Sequence, residues 1–400
     1  MHPEIKRGGK NLLMICHSYS DFQKDPTEIN APHFSSVHVL VRTNVLADLA
    51  QQFRLPIPQL VCFSSAYKID NEGTPANVQV HLTPVMYVPT DRGYKTLGDK
   101  HLSAVEALIQ KQGITFDLVH SHFTWSSGYV GARLKEKYQV PFVVTAHGED
   151  IYSLPFKDAV WRKNIEYVLN TADAIITVSR NNLECIRKLD VDTPVHVIPN
   201  GFKEDLFCPK EMTECRRVLG LPLDRKIILT VGIYETVKGH TYLVEAVSRI
   251  IREKKDILCV MIGFGTERQA LEKQIQSLGL QDHIILAGGK PHTEIPLWIN
   301  ACDLFVLPSL NEGNPTVLFE ALGCGKPFIG TRVGGVPEII TSDVYGLLVN
   351  PADPDDLKAK ILTGLERTWD REAIRAYAKQ FTWETIAQKI RDVYTRVEVP

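Results

Sequence analysis

Short runs of apolar residues recur along this chain, many of them closing on Gly, Ser, His or Pro. In the first half they cover residues 12–17, 116–122, 142–147, 174–179 and 195–201. In the second half they cover 227–232, 258–263, 284–288, 304–309 and 328–330, with 347–349 a weaker member. The runs are rich in β-formers and do not alternate with polar residues, as expected of parallel strands covered on both faces. Between them apolar residues fall at helical spacing, as in Tyr242, Val244, Val247, Ile250 and Ile251, or Leu271, Ile275 and Leu278. Strand alternating with helix predicts parallel sheets joined by right-handed crossovers. The strands are too many for one sheet of ordinary width, so an α/β chain with two doubly wound halves is expected.

The break is expected after Val197-Ile198-Pro199-Asn200-Gly201, where an irregular polar stretch to Arg225 precedes a fresh strand at Lys226. At the far end Trp383, Ile386, Ile390, Val393, Tyr394 and Val397 form the stripe of an amphipathic helix with no strand after it. A length of 400 residues suits this division, since single cores seldom outgrow about 250–300 residues.

Composition narrows the classes. With 44% hydrophobic and 23% charged residues the chain reads as globular, and its net charge of −2 offers no electrostatic case for a nucleic-acid partner. Lys6, Arg7 and Lys10 read as a solvated tail rather than a membrane contact. The eight cysteines include no C-x-x-C pair, which argues against zinc and for a reducing compartment. No segment approaches the roughly 18 apolar residues of a membrane span. The start carries charge and only a short apolar run, unlike a secretory leader. The one N-x-S/T triplet, Asn314-Pro315-Thr316, is disqualified by its proline. A cytoplasmic location is expected.

The densest chemistry is Glu312-Gly313-Asn314-Pro315-Thr316-Val317, followed by Glu320. A strand end, a glycine turn and a proline suited to a first helical turn predict a helix whose opening amides point outward. Such a terminus binds anions, and a diphosphate is a natural guest. Glu312 and Glu320 then accept hydroxyl hydrogen bonds on different parts of one extended ligand; their spacing alone does not exclude hydrolysis. An acid stabilised by the helix dipole is the plain alternative. His120 and His122 share one face of a strand, so a metal pair is conceivable but lacks further ligands. Acceptor-side lining or simple packing is expected for them instead. Asp190-Val191-Asp192 mimics a metal-binding D-x-D but sits in a turn-like setting. Gly263 and Gly265 form a G-x-G without a third glycine. No Walker-type phosphate loop or nucleophile elbow occurs.

The Glu312 to Glu320 spacing, E-x7-E, resembles that of the "group 1" family of retaining GT-B glycosyltransferases. So do Thr145-Ala146-His147-Gly148-Glu149-Asp150, Val197-Ile198-Pro199-Asn200-Gly201, Val231-Gly232 with Lys238-Gly239, Met261-Ile262-Gly263-Phe264-Gly265, Gly334-Gly335-Val336-Pro337-Glu338 and the Phe381-Thr382-Trp383 helix. The resemblance implies two Rossmann-like domains facing across a cleft. Residues 1–204 with a returning helix 381–400 would take the acceptor, and residues 205–380 the donor.

It further implies that Glu312 binds donor-sugar hydroxyls, Glu320 the ribose, and Lys238 the diphosphate, while His147 stands near the reacting carbon. Gly232, Gly263, Asn314 and the amides of Thr316 and Val317 complete the donor side. His17, His120, His122 and Trp125 belong to the acceptor side. No metal and no cofactor are implied beyond the NDP-sugar co-substrate, with UDP ahead of GDP and ADP. The acceptor would be a hydroxyl of a glycan, lipid or small molecule, and a lipid acceptor would bring peripheral membrane contact.

Two departures stand out. Ile233 occupies the position where the family usually has a phosphate-loop arginine, with Arg180 and Lys290 as candidate replacements. No glycine lies between Gly9 and Gly73, where the family carries a glycine-rich turn. A disaccharide phosphorylase or sugar-phosphate synthase, and a non-catalytic nucleotide-sugar-binding protein, are the alternatives.

Overall fold

A computed structural model describes residues 9–53, 64–65 and 68–398. Lys6, Arg7 and Cys62 lie outside the described residues. The chain divides into two compact units, Met1–Pro199 with Trp383–Pro400, and Asn200–Thr382. The division falls a few residues before the expected 204/205 break. The reason is local: the Asn200 amide donates to Asn314 Oδ1 at 2.7 Å, which commits Asn200 to the second unit.

The first unit is built on a parallel sheet in the order β3-β2-β1-β4-β5-β6-β7. Its strands are β1 (Asn11–Cys16), β2 (Ser36–Asn44), β3 (Val78–Val85), β4 (Leu118–His122), β5 (Phe142–Ala146), β6 (Ala174–Thr177) and β7 (Val195–Val197). Every described residue of β4, β5 and β6 is buried, which explains their uninterrupted apolar runs. β2 and β3 are not among the expected strands. Both read V-x-V with polar residues between, and β3 is an edge strand that exposes Gln79, Leu82 and Pro84. No strand or helix is expected in segments 21–37 and 67–93. They contain the helix Asp21–Asn30, the start of β2, and β3.

The second unit has a parallel sheet in the order β10-β9-β8-β11-β12-β13. Its strands are β8 (Lys226–Val231), β9 (Ile257–Ile262), β10 (Ile284–Gly288), β11 (Leu304–Leu307), β12 (Phe328–Thr331) and β13 (Gly346–Val349). All six were expected, within a residue or two at their ends.

The final helix, Trp383–Val397, buries Trp383, Ile386, Ile390, Val393 and Tyr394 in one core with Leu12, Met14 and Val39 of β1 and β2. Fully burying such side chains is worth about 1.5–3 kcal/mol each, so this helix is part of the first unit's core. Among the described residues no helix is long and apolar enough to cross a membrane.

Candidate active site

In the second unit the strand order turns back between β8 and β11. Open α/β sheets take ligands in the crevice at such a point, outside the carboxyl ends of the strands. The loops that leave β8 and β11 carry Lys238 and Glu312. Lys238 Nζ donates to Glu312 Oε1 at 2.6 Å, and Ser309 Oγ donates to the same oxygen at 2.6 Å. Glu312 is 7% exposed. Two glycines make this approach possible. At Gly239 (φ +63°) a Cβ would stand 2.1 Å from the Pro308 carbonyl oxygen, and at Gly334 (φ +50°) it would stand 1.5 Å from that of Glu312.

The helix Thr316–Gly323 begins directly after Pro315, whose side chain cannot cap it. Its opening amides, Thr316 and Val317, therefore sit where helix N–H groups lack intrahelical partners. Asn314 is held by Asn200, whose side chain also donates to the Asn314 carbonyl at 2.9 Å, while Asn314 Nδ2 is buried without a partner. Glu320 is buried within the helix, with Oε1 2.9 Å from His292 Nε2. Gly232 and Gly263 tie the neighbouring turns through Gly232 N to Ile262 O at 2.9 Å and Gly263 N to Gly288 O at 3.1 Å. Ile233 is exposed. Lys290 Nζ lies 3.7 Å from Glu294 Oε1 and 5.2 Å from the centre of the Trp298 ring.

The first unit gathers histidines at the carboxyl ends of β1, β4 and β5. His122 Nδ1 and His147 Nε2 are 2.9 Å apart, their rings stacked. His120 contacts Thr145 Oγ1 and Tyr394 Oη, each at 2.7 Å. His17 stacks on Phe123, and Phe123 packs on His147. His17 and Trp125 line a cavity of about 440 Å³.

Burial holds all four rings neutral. The pKa of His122 drops to about 3, and those of His17, His120 and His147 fall well below the usual histidine range. For His17 the buried cations Arg42 and Lys68 add to the effect. The remaining nitrogens, His122 Nε2 and His147 Nδ1, are buried and unpartnered. Arg180 opens the helix Arg180–Ile186 in this unit.

The expected residues thus fall into two sets, each at the carboxyl end of its own sheet. Glu312 with Lys238, and His122 with His147, are brought into direct contact. Lys290 packs over Trp298 beside Glu294.

Four residues with positions in these sets carried no sequence assignment. Asp150 accepts from the amides of Thr124, His147 and Gly148 at 2.9, 3.1 and 2.8 Å, and so sets the His147 loop. Burial raises its pKa against those same hydrogen bonds. An aspartate three residues beyond His147 is the legible signal for such a turn. Ser309 and Asn200 lie inside quoted motifs but act only through the tertiary fold. His292 comes from a segment, 286–293, without local signal. Asp190 and Asp192 form a turn with Asn170, which bonds the Asp190 carbonyl and the Asp192 amide. Among the described residues no group of three or more His, Cys, Asp or Glu could hold a metal ion.

Comparisons with known proteins point to one family and one fold. Residues 211–381 match the family described as "Glycosyl transferases group 1", and residues 43–206 match "Glycosyltransferase Family 4". An uncharacterized glycosyltransferase of Methanocaldococcus jannaschii is 32% identical over 295 residues, covering 72% of this chain and 77% of that protein. A D-inositol 3-phosphate glycosyltransferase of Corynebacterium jeikeium is 29% identical, covering 73% and 75%. Among solved structures, a sucrose-phosphate synthase of Thermosynechococcus elongatus superposes with a TM-score of 0.77 at 21% identity, covering 97% of this chain and 99% of that one. The Anabaena protein HepE, solved with UDP and glucose, gives 0.75 at 21% identity, with coverage of 97% and 99%.

Two doubly wound parallel-sheet units with these neighbours define the GT-B fold class. The chain belongs to the group 1 glycosyltransferase family.

Proposed function

We propose that the chain moves a sugar from an NDP-sugar to a hydroxyl acceptor, with retention at the anomeric carbon and without a metal. The observation that carries this reading is the Lys238–Glu312 contact at the turning point of the second sheet. Lys238 brings a fixed positive charge to a crevice that also holds the opening amides of Thr316 and Val317. Charge building on a departing diphosphate is stabilised by such preorganised groups, work that a metal does elsewhere. Glu312 binds the donor sugar's hydroxyls and Glu320 the ribose, while Gly232, Gly263 and Asn314 shape the rest of the donor site. UDP is the favoured nucleotide, in keeping with the UDP held by the Anabaena neighbour. Within the second unit Lys290 is the candidate to replace the arginine that Ile233 displaces.

Lys238 and Ser309 both hold Glu312 Oε1, and in this reading the carboxylate serves as a hydrogen-bonding group rather than as a nucleophile. The reading is therefore front-face departure of the diphosphate through an oxocarbenium-like state. His147, neutral and with Nδ1 buried and unpartnered, keeps a ring nitrogen free to bond a sugar hydroxyl.

A panel of UDP-, GDP- and ADP-sugars, scored by thermal shift and slow donor hydrolysis, tests the reading. One donor should stabilise the wild type and turn over, with turnover reduced in Glu312→Gln and Lys238→Ala. Proton NMR of the product should show the donor's anomeric configuration. Sugar release that depends on phosphate and not on a nucleotide would replace this reading with a phosphorylase, and donor binding without turnover would replace it with a binding protein.

A further inference from the structure

The Lys238–Glu312 contact lies at the carboxyl end of the second unit's sheet. At the opposite end, where the parallel strands begin, the same unit holds a cavity of about 260 Å³. Lys226 at the start of β8, Asp303 just before β11 and Pro327 just before β12 form one wall. The chain from residue 364 to residue 371, between the helices Pro354–Glu366 and Arg371–Ala378, forms the other. Pockets for drug-sized ligands run to about 300–1,000 Å³, so this cavity suits a smaller molecule and is too tight for a nucleotide sugar.

Its charge is cationic in excess. Lys226, Arg367 and Arg371 share the cavity with a single carboxylate, Asp303. That carboxylate is already satisfied. Arg216 Nη2 and the Ile227 amide donate to its Oδ2 at 2.7 and 2.8 Å, and Lys226 Nζ donates to its Oδ1 at 3.1 Å. Two cations thus share one acid, and Asp303 has little left with which to repel an anion.

Arg367 is oriented before any ligand arrives. Its guanidinium lies over the Trp369 ring at 4.6 Å, and the indole N–H is fixed by the Gly364 carbonyl at 2.8 Å. Its one acid, Asp343, is 3.3 Å away and 73% exposed, so water screens that pair. Arg371 makes no side-chain hydrogen bond or ion pair with a described residue. The buried Lys326, next to Pro327, is held by the carbonyls of Asn300 and Cys302, each at 2.8 Å. Burial lowers its pKa, and the Arg371 charge adds to the effect. The acids nearest in sequence do not cancel this excess. Asp370 caps the helix Arg371–Ala378 through the Ala373 amide at 3.0 Å, Glu366 and Glu372 are exposed, and none of the three lines the cavity.

A carboxylate ligand would answer one of these charges. A phosphomonoester carries about −1.5 to −2 charges at pH 7 and three strong acceptor oxygens, which guanidinium forks engage in pairs.

We propose that this cavity binds the phosphate group of a small phosphomonoester, such as a sugar phosphate, at a site separate from the donor crevice. Arg371 supplies the open guanidinium, with Arg367 and Lys226 on either side of the anion. Inorganic phosphate shares the same chemistry.

The test is calorimetric titration of the full chain with glucose 6-phosphate and with inorganic phosphate. It needs no sugar donor, so it stands or falls apart from the transferase reading. At least one probe should bind with a millimolar or tighter Kd. Tighter binding of glucose 6-phosphate would name an organic phosphate as the ligand, and tighter binding of inorganic phosphate the free ion. Arg371→Gln and Arg367→Gln should each weaken binding about tenfold or more. Arg217→Gln, at an exposed arginine outside the cavity, should leave it unchanged. Melting curves of the three variants separate these effects from unfolding. The proposal is overturned if neither probe binds, or if Arg371→Gln leaves the titrations unchanged. It is equally overturned if Arg217→Gln weakens binding as much as Arg371→Gln, since that would mark a loose attraction to surface charge.

Discussion

Lys238 Nζ stands 2.6 Å from Glu312 Oε1 across 74 residues of sequence, with Ser309 Oγ on the same oxygen. Neither loop reaches the other by local preference. The contact exists because β8 and β11 are neighbours in the sheet, and because Gly239 and Gly334 let two backbones pass closely. Lys238→Ala should therefore do two things. It leaves a largely buried carboxylate without its cation, at about 1–3 kcal/mol, and it removes charge from the proposed diphosphate site, lowering kcat by about 10²-fold or more. Glu312→Gln keeps the shape and should cost less stability. Urea melts and donor turnover for both single variants and the double variant measure the coupling, and strictly additive losses would show that the pair does not act as a unit.

Gly334→Ala is expected to be more damaging than its size suggests. A left-handed conformation costs an L-residue about 1–2 kcal/mol, and the added Cβ would stand 1.5 Å from the Glu312 carbonyl oxygen. The loop must move, at about 1–3 kcal/mol more. Thermal denaturation should show a drop of several degrees, with turnover falling further than stability because Glu312 shifts. Gly220→Ala is the control: it has a similar φ of +65° but open space around the Cβ, so only the conformational cost should remain.

Much of this was legible in the sequence for a physical reason. Strands buried on both faces leave uninterrupted apolar runs, so β8, β9, β11 and β12 could be read directly, and the edge strands β10 and β13 keep apolar runs although they are only partly buried. β3 escaped because V-Q-V alternates, as a half-covered edge strand does, and β2 because the polar His38, Arg42 and Thr43 interrupt its apolar run although the strand is buried from Val39 onward. Glu312 and Lys238 were legible as motif residues, but their mutual contact was not, since loops meet through sheet order. His292 and Asp150 show the same limit from two sides. Asp150 has a local turn signal, whereas His292 meets Glu320 only because two distant segments fold together.

The Glu320–His292 contact gives a selective prediction. Glu320 is buried in a helix, and the imidazole is its one protein hydrogen-bond partner among the described residues. His292→Ala should leave the carboxylate less constrained, raising the KM for the donor several-fold with a small effect on kcat. His292→Gln, which can still donate, should recover part of that loss. Equal falls in kcat and kcat/KM would instead assign His292 to the transition state.

Acid should destabilise the first unit through its buried histidines. His17, His101, His120, His122 and His147 all have folded pKa values below the ordinary 6.5, chiefly because burial disfavours the cation, and His122 reaches about 3. The unfolded chain therefore binds protons first. Stability is full above about pH 6.5 and falls as pH drops towards the folded values, by about 1.4 kcal/mol per pH unit for each such group. Urea midpoints at pH 7, 6 and 5 should fall steeply, and His122→Asn should flatten the curve. A flat profile across that window would mean that the rings are not buried neutral.

Tyr394 ties the final helix to this same cluster. Its hydroxyl is 2.7 Å from His120 Nδ1, and the other nitrogen of that ring contacts Thr145 Oγ1 next to the His147 loop. Tyr394→Phe keeps the ring in the core but leaves a buried imidazole nitrogen unpaired, at about 1–3 kcal/mol. Because the histidine is already neutral, the loss should be similar at pH 7 and pH 8. Deleting residues 383–400 should be far worse, since it strips Trp383, Ile386, Ile390, Val393 and Tyr394 from a core they share with β1 and β2. That truncated chain is expected to lose cooperative unfolding of the first unit while residues 200–382 remain folded. Circular dichroism melts resolved into two transitions, with limited proteolysis to assign them, would distinguish this outcome from a final helix that merely decorates the surface.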